Sequence, residues 1–114
     1  MTHAERMSAG RDAFNRGEYF AAHERWEEAW LEATGPTRTW LQGLVQLAAA
    51  LHKLDGGRAD LACSLLEKAL AKLADAPSQL DGLAMTTLRA AAATTLSHLR
   101  AGSPPPPLRI DGGR

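Results

Sequence analysis

The sequence predicts an all-α protein, a compact bundle of about five helices arranged as stacked helical hairpins and weakly similar to tetratricopeptide repeats. Its 114 residues are enough for one domain with a single core. Alanine and leucine dominate the apolar side chains and favour helix. Val45 and Ile110 are the only valine and isoleucine, so a β-sheet would lack its usual residues.

The first two helices are predicted from their start and stop signals. Thr2 and Glu5 have the spacing of a capping box, so the first helix is expected to begin there and to end before Gly17. A second helix is expected over residues 18–33. The pair Gly35-Pro36 is expected to close it, because glycine favours a left-handed C-cap and proline cannot continue the helix.

Three more helices follow in the same way. Thr37 is expected to cap a third helix that runs to Leu54 and stops at the adjacent glycines. A fourth, over residues 58–74, has an ordinary amphipathic pattern. A break at Pro77 precedes the fifth, which carries a narrow apolar stripe over residues 85–99. These helices form one predicted domain, residues 1–102.

The remaining residues, 103–114, are predicted to be a proline-rich C-terminal tail, because four consecutive prolines impose an extended backbone. Within the helical domain there is a weak internal repeat. Aligning Gly17 with Gly57 also aligns Ala22 with Ala62 and Trp26 with Leu66. Each half is then a helix, a glycine turn and a second helix, which is the unit of stacked helical repeats.

Charge and cysteine content exclude several classes of function. Thirteen basic and thirteen acidic residues give a net charge of zero, so no nucleic-acid or membrane partner is expected. Charges near the N-terminus leave no room for a signal peptide, and the longest uncharged run, from Thr39 to His52, is too short to span a membrane. Cys63 is alone and cannot form an intrachain disulfide. A cytoplasmic protein is therefore expected.

The second helix carries the most unusual group of side chains. A helical wheel places Arg25, Glu28 and Glu32 towards water. The opposite arc contains the aromatic and apolar residues Tyr19, Phe20, Trp26, Trp30, Leu31 and Ala33. His23 and Glu27 fall in the middle of that arc, one helical turn apart. A buried carboxylate needs a partner, so this interpretation predicts a buried network around Glu27.

The third helix offers partners for that network. It has no charge between Arg38 and Lys53, which is typical of a central helix or of one covered by another subunit. Its amides need hydrogen-bond partners if they are covered, and Gln46 is placed to meet His23 or Glu27. The candidate functional cluster is therefore His23, Glu24, Glu27, Trp30, Gln42 and Gln46.

Three interpretations of this cluster stay open. The first is a buried hydrogen-bond network that fixes helix register. The second is a metal site built from His23, Glu27 and His52; it is the weaker alternative, because spacing supplies no further ligand, and neither metal nor cofactor is predicted. The third is a small-ligand or hydrolytic pocket, metal-assisted or not, centred on His23, Glu24, Glu27 and Gln46. The sequence has no nucleophile motif to support it.

These residues resemble a family of small helical bacterial and archaeal proteins, domain of unknown function 309. The similarity covers residues 10–75 and is carried by the pattern Phe14-Asn15-x-Gly17-x-Tyr19-Phe20-x-x-His23-Glu24-x-Trp26-Glu27-x-x-Trp30 and by Leu41-Gln42-Gly43-Leu44-x-Gln46-x-Ala48, with His52 and Gly57 following. Arg58 and Leu61 depart from the residues usual in the family. The resemblance implies a compact all-helical fold and points to the cluster, but it names no reaction.

The function that the sequence favours is association rather than catalysis. We expect a non-enzymatic interaction domain with a buried His-Glu-Gln network, which binds itself or another protein through the uncharged third helix or the Ala/Thr face of the fifth. Five short helices can hide only part of so much apolar surface, so a homodimer is expected. The alternative is the small ligand-binding or hydrolytic protein described above.

Overall fold

A computed structural model of the protein describes residues 1–112, which form five α-helices and one short β-hairpin. Gly113 and Arg114, the last two residues of the predicted tail, lie outside this range. The predicted all-α bundle is confirmed. Its elements are α1 (His3–Asn15), α2 (Tyr19–Glu32), α3 (Gly35–Asp55), α4 (Ala59–Leu73), β1 (Gln79–Leu80), β2 (Leu83–Ala84) and α5 (Met85–Arg100).

The capping box at the start of α1 is present. The Glu5 amide donates to the Thr2 hydroxyl over 3.1 Å, and the Thr2 amide donates to the Glu5 carboxylate over 3.0 Å. This second hydrogen bond lowers the pKa of Glu5, because it favours the ionised carboxylate. Two otherwise unpaired donors are satisfied, and α1 begins where the sequence predicts.

The internal repeat is visible in the turns between paired helices. Gly17 and Gly57, at equivalent positions of the repeat, both have a positive φ, of 80° and 77°. The next amide in each turn reaches back to the helix before it over the same 2.9 Å, from Glu18 to the Ala13 carbonyl and from Arg58 to the Lys53 carbonyl. The helical pairs α1–α2 and α3–α4 are therefore joined by the same turn, and successive helices pack side by side along the chain.

The boundary between α2 and α3 differs from the prediction. Gly35 and Pro36 do not close α2; they form the first turn of α3, and the N-cap is Thr34 instead of Thr37. Proline is accepted in a first turn because its missing N–H has no helical partner there. A β-hairpin before α5 was also not predicted; its turn residues Asp81 and Gly82 both have positive φ.

The core is centred on α3, which contacts α2 on one side and α4 on the other. Its buried residues are Leu41, Gly43, Leu44, Leu47, Ala48, Ala50 and Leu51. From the sequence, the absence of charge on this helix indicates either a central position or cover by another subunit. The structure shows the central position. Within residues 1–112, no helix is long and apolar enough to cross a membrane.

The segment after α5 returns to the helical domain. Leu108 and Ile110 are buried with the core residues. The Asn15 side chain holds the Ile110 backbone at both polar atoms, accepting from its N–H over 2.8 Å and donating to its carbonyl over 2.9 Å. The Ala84 amide donates to the Asp111 carbonyl over 3.0 Å. The segment therefore packs against both α1 and the hairpin.

Candidate functional site

The packed face of α2 is formed by Ala22, Trp26 and Ala29, which are completely buried. The Trp26 ring lies against α1 at Gly10, where an added Cβ would stand only 2.2 Å from the indole Nε1. The same Nε1–H donates to the Met7 carbonyl over 3.4 Å. Glycine in α1 is thus what allows the largest core side chain to pack there.

The predicted wheel for helix 2 is wrong in its centre. The packed face is turned towards Ala22 and Ala29, so the residues placed at the far edge of the apolar arc, Phe20 and Leu31, are 56% and 61% exposed. Alanines mark the core here because they let neighbouring helices approach closely. Gly43 shows the same principle: an added Cβ there would stand 2.8 Å from Leu73 on the neighbouring helix α4.

His23 and Glu27 form a pair, but it is not buried. Their Nε2 and Oε2 atoms are 3.4 Å apart, and the side chains are 26% and 44% exposed. The predicted buried His-Glu-Gln network is therefore wrong. Glu27 faces solvent, and within residues 1–112 no hydrogen bond joins the side-chain oxygen of Gln46, Oε1, to His23 or Glu27. Residues four positions apart are neighbours on the surface of a helix, so a His-Glu contact of this kind forms without burial.

Three buried polar atoms at the α2–α3 packing lack a hydrogen-bond partner within the described residues. They are Nδ1 of His23, Nε1 of Trp30 and Oε1 of Gln46. Trp30 is held from outside by Arg38, whose guanidinium carbon lies 4.5 Å from the ring centre and whose Nη1 donates to the Trp30 carbonyl over 3.0 Å. Gln42 is half-buried on α3, and the surface groove that His23, Glu24 and Glu27 line does not include Trp30, Gln42 or Gln46.

His52 lies near His23 without completing a metal site. It is exposed at the end of α3, and its ring centre is 5.5 Å from that of Phe20, which also stacks on His23 at 5.9 Å. Among residues 1–112, no three histidine, cysteine or acidic side chains are arranged to hold an ion. The alternative set of His23, Glu27 and His52 is thus not assembled by this fold.

A shallow groove of about 290 Å³ runs along the outward side of α2. All six lining residues belong to that helix, namely Phe20, His23, Glu24, Glu27, Glu28 and Leu31. A smaller hollow of about 160 Å³ adjoins it, between Phe20 and His23 on α2 and Ala49, His52 and Lys53 on α3. The groove contains three of the predicted cluster residues, His23, Glu24 and Glu27.

Four residues in line along this groove form what we call the α2 seam: Phe20, Glu24, Glu27 and Leu31. The candidate cluster predicted from the sequence includes the two acids, Glu24 and Glu27, but does not group all four residues as one surface. The signal is present in the spacing of 4, 3 and 4 residues, which is the spacing of a helix-pairing seam. It is easily overlooked because the helical wheel assigns Phe20 and Leu31 to the core.

Charges around the seam are unevenly matched. Glu28, beside it, contacts Arg25 at 2.8 Å and Arg6 at 3.5 Å. Within residues 1–112, Glu24 contacts no basic side chain and Glu27 contacts only His23. The seam therefore presents two carboxylates that neither Lys nor Arg of the described chain neutralises.

The comparisons with known proteins agree with the helical pattern. The family model described as "Domain of unknown function (DUF309)" matches residues 7–65. The chain belongs to the DUF309 family. The matched range contains α2, α3 and most of α1 and ends within α4, so it includes the seam and the predicted cluster.

Two relatives of this DUF309 chain extend the comparison. A conserved hypothetical protein from Thermus thermophilus, solved as a crystal structure, is 40% identical with a TM-score of 0.67, over 75% of this chain and 89% of that one. An uncharacterized protein of Aquifex aeolicus (strain VF5) is 29% identical over 103 residues, 90% of this chain but 31% of the relative. This DUF309 chain thus spans about a third of the Aquifex protein.

Proposed function

We propose that this DUF309 chain is a non-enzymatic association module that binds another protein through the α2 seam. The observation that carries the proposal is the exposure of Phe20 and Leu31, at 56% and 61%, about three turns apart on one line of one helix. In the described residues, the other exposed large apolar side chains are Met1, at 62%, and Leu61, at 36%. Two large apolar side chains that are exposed on one line of a helix and surrounded by polar residues offer apolar area that a partner can cover.

The shape of the groove also supports binding of a protein over binding of a small molecule. Small-molecule sites enclose most of their ligand, whereas all residues lining this groove come from α2, and no second element of the described chain faces them across it. A helix of a partner would supply that missing wall. The alternative, a ligand-binding or hydrolytic site at His23 and Glu27, has less support because Glu27 lines only the groove on α2, and the adjoining hollow, which has a second wall on α3, is smaller and includes His23 but not Glu27.

The Aquifex relative supports a modular role. Its match to this chain occupies 31% of its length, so there a domain similar to this one is part of a much longer protein. Domains that fold independently and associate through a surface are used in this way. The homodimer expected from the sequence remains a prediction, but α3 no longer motivates it, since α2 and α4 cover that helix.

Site-specific photocrosslinking in cells that express the chain tests this function. A benzophenone amino acid replaces Leu31 in one variant and Ser64, exposed on α4, in a matched control. We expect a discrete partner peptide crosslinked from position 31 and absent from position 64, and we expect Phe20→Ser to abolish that product. Identical products from both positions, or none from position 31, would contradict the proposal. A product joining two copies would show that the seam binds a second copy instead of another protein, which would also contradict the proposal.

A further inference from the structure

The positions of the seam residues define how a partner helix has to approach. At about 100° per residue, Phe20, Glu24, Glu27 and Leu31 fall within an arc of about 60°. Their spacing of 4, 3 and 4 residues equals two repeats of the a and d positions that meet in paired helices. A helix docked here lies along α2 and places its own a and d positions on these four side chains.

The seam has apolar ends and an acidic centre. Phe20 and Leu31 occupy the outer two layers, and Glu24 and Glu27 occupy the inner two, positions that are usually apolar in paired helices. Glu24 is exposed, and within the described residues it contacts no cation. Carboxylates at such positions disfavour every partner that cannot match their charge, which is how polar residues in a seam select one partner over others.

A second copy of the chain is a poor match for this seam. If two α2 helices pair antiparallel about the middle of the seam, Glu24 of one copy meets Glu27 of the other, twice. If they pair in parallel, each acid meets its own equivalent. Both arrangements bring four carboxylates together in the inner layers, where like charges destabilise the pair. Glu28 does not change this balance, because Arg6 and Arg25 already contact it.

From this charge pattern, and resting on the proposed function, we infer that the seam binds a basic amphipathic α-helix. That helix carries apolar residues about three turns apart, which contact Phe20 and Leu31, and Lys or Arg at the two intervening seam positions, which pair with Glu24 and Glu27. The apolar contacts provide binding area, and the two ion pairs select the partner and its register. His52 and Lys53, on α3, line the adjoining hollow with Phe20 and His23, and neither Glu24 nor Glu27 lines that hollow.

A charge-reversed copy of the chain provides a folded probe with this chemistry. In Glu24→Lys/Glu27→Lys, the inner layers are basic while the outer two are unchanged, so its seam is the predicted partner of the wild-type seam. We expect a mixture of the two to form a heterodimer at a concentration at least about tenfold lower than either needs to self-associate. Sedimentation velocity on each chain and on the mixture measures this, and circular dichroism verifies the fold.

Two matched controls locate the interaction. Asp60→Lys/Glu67→Lys makes the same change of net charge at two exposed positions of α4 and should not pair with the wild-type chain. Phe20→Ser in the wild-type partner should abolish the heterodimer. Glu24 is exposed and contacts no cation within residues 1–112, so Glu24→Lys should not disturb the fold. This single variant should also prefer the wild-type chain over itself, but less strongly than the double variant does.

Three results would overturn the inference: wild type that dimerises through the seam as tightly as the mixture, a control on α4 that pairs equally well, or a mixture that stays monomeric. The proposed function fails separately, in the crosslinking experiment. If position 31 captures a partner whose contacting helix is acidic or uncharged, association through the seam stands and the basic partner is wrong.

Discussion

The two faces of α2 show that side-chain size alone does not decide which residues are buried. The packed face buries two alanines beside Trp26, whereas the seam leaves a phenylalanine and a leucine largely in solvent. Burial on this helix is decided by how closely α1 and α3 approach, and small residues permit that approach. Large apolar residues that remain outside therefore contribute little to folding, and the proposed function assigns them to binding.

The largest expected difference separates Trp26 from Phe20. Trp26→Ala removes a fully buried ring and should lower the free energy of unfolding by about 3–5 kcal/mol, whereas Phe20→Ala should lower it by less than about 1 kcal/mol. Urea denaturation followed by circular dichroism measures both, since that signal does not depend on the deleted indole. Similar losses in the two variants would mean that the Phe20 ring contributes to the fold as a core residue does.

A second test addresses why Trp26 fits. In Gly10→Ala, the new methyl group would overlap the indole, whose Nε1 is 2.2 Å from its position, and would disturb the hydrogen bond to Met7. Overpacking should lower the free energy of unfolding by about 1–3 kcal/mol even though alanine favours helix. Ser8→Ala, at an exposed position of the same helix, is the control and should change stability by less than about 0.5 kcal/mol.

The difference between the two faces also separates what the sequence predicts from what it does not. Helix number and the glycine turns were predictable because they depend on local signals such as the Thr2 capping box and Gly17. The orientation of α2 was not, because it depends on which neighbour each residue meets. Nothing local indicates that Gly10 accepts the Trp26 ring, and that contact turns Ala22 and Ala29 inward.

The hairpin and the end of the chain escaped prediction for a related reason. The Asp81-Gly82 pair is a hairpin turn signal, but the flanking strands have two residues each and are too short to show a pattern of their own. The burial of Ile110 depends on two hydrogen bonds from Asn15, 95 residues earlier in the chain. Long-range contacts of this kind leave no periodic trace in sequence.

A smaller effect distinguishes a seam acid from a buried one. Glu27→Ala should lower the free energy of unfolding by less than about 1 kcal/mol, because the carboxylate is 44% exposed and its pairing with His23 is an ordinary contact across one helical turn. Truncation of a buried, paired carboxylate would instead lower the free energy of unfolding by about 3–5 kcal/mol. Denaturant curves for Glu27→Ala and for Glu28→Ala should therefore nearly coincide. A large loss of unfolding free energy in Glu27→Ala alone would instead support the buried network that the sequence predicts.

The smallest expected effect concerns Tyr19, the residue that precedes Phe20 but belongs to the packed side, where its ring meets Phe14 edge-on at 5.0 Å. Burial raises the pKa of Tyr19, and the negative charge of Asp55 raises it further, since both disfavour the phenolate. The chain has one tyrosine, so its absorbance titration is directly assigned. We expect a pKa above the ordinary value in the folded chain, a lower one in Asp55→Asn, and the ordinary value in urea.

The direction of that pKa shift also sets a dependence of stability on pH. The folded chain holds the phenolic proton more tightly than the unfolded chain, so the contribution to stability is complete below the ordinary tyrosine pKa and is lost as pH rises through the raised one. Stability measured across that alkaline range should fall more steeply for wild type than for Tyr19→Phe, which has no proton to lose. Equal slopes, or an ordinary pKa in the folded chain, would place Tyr19 in solvent with the seam and remove the sharp division between adjacent residues on α2.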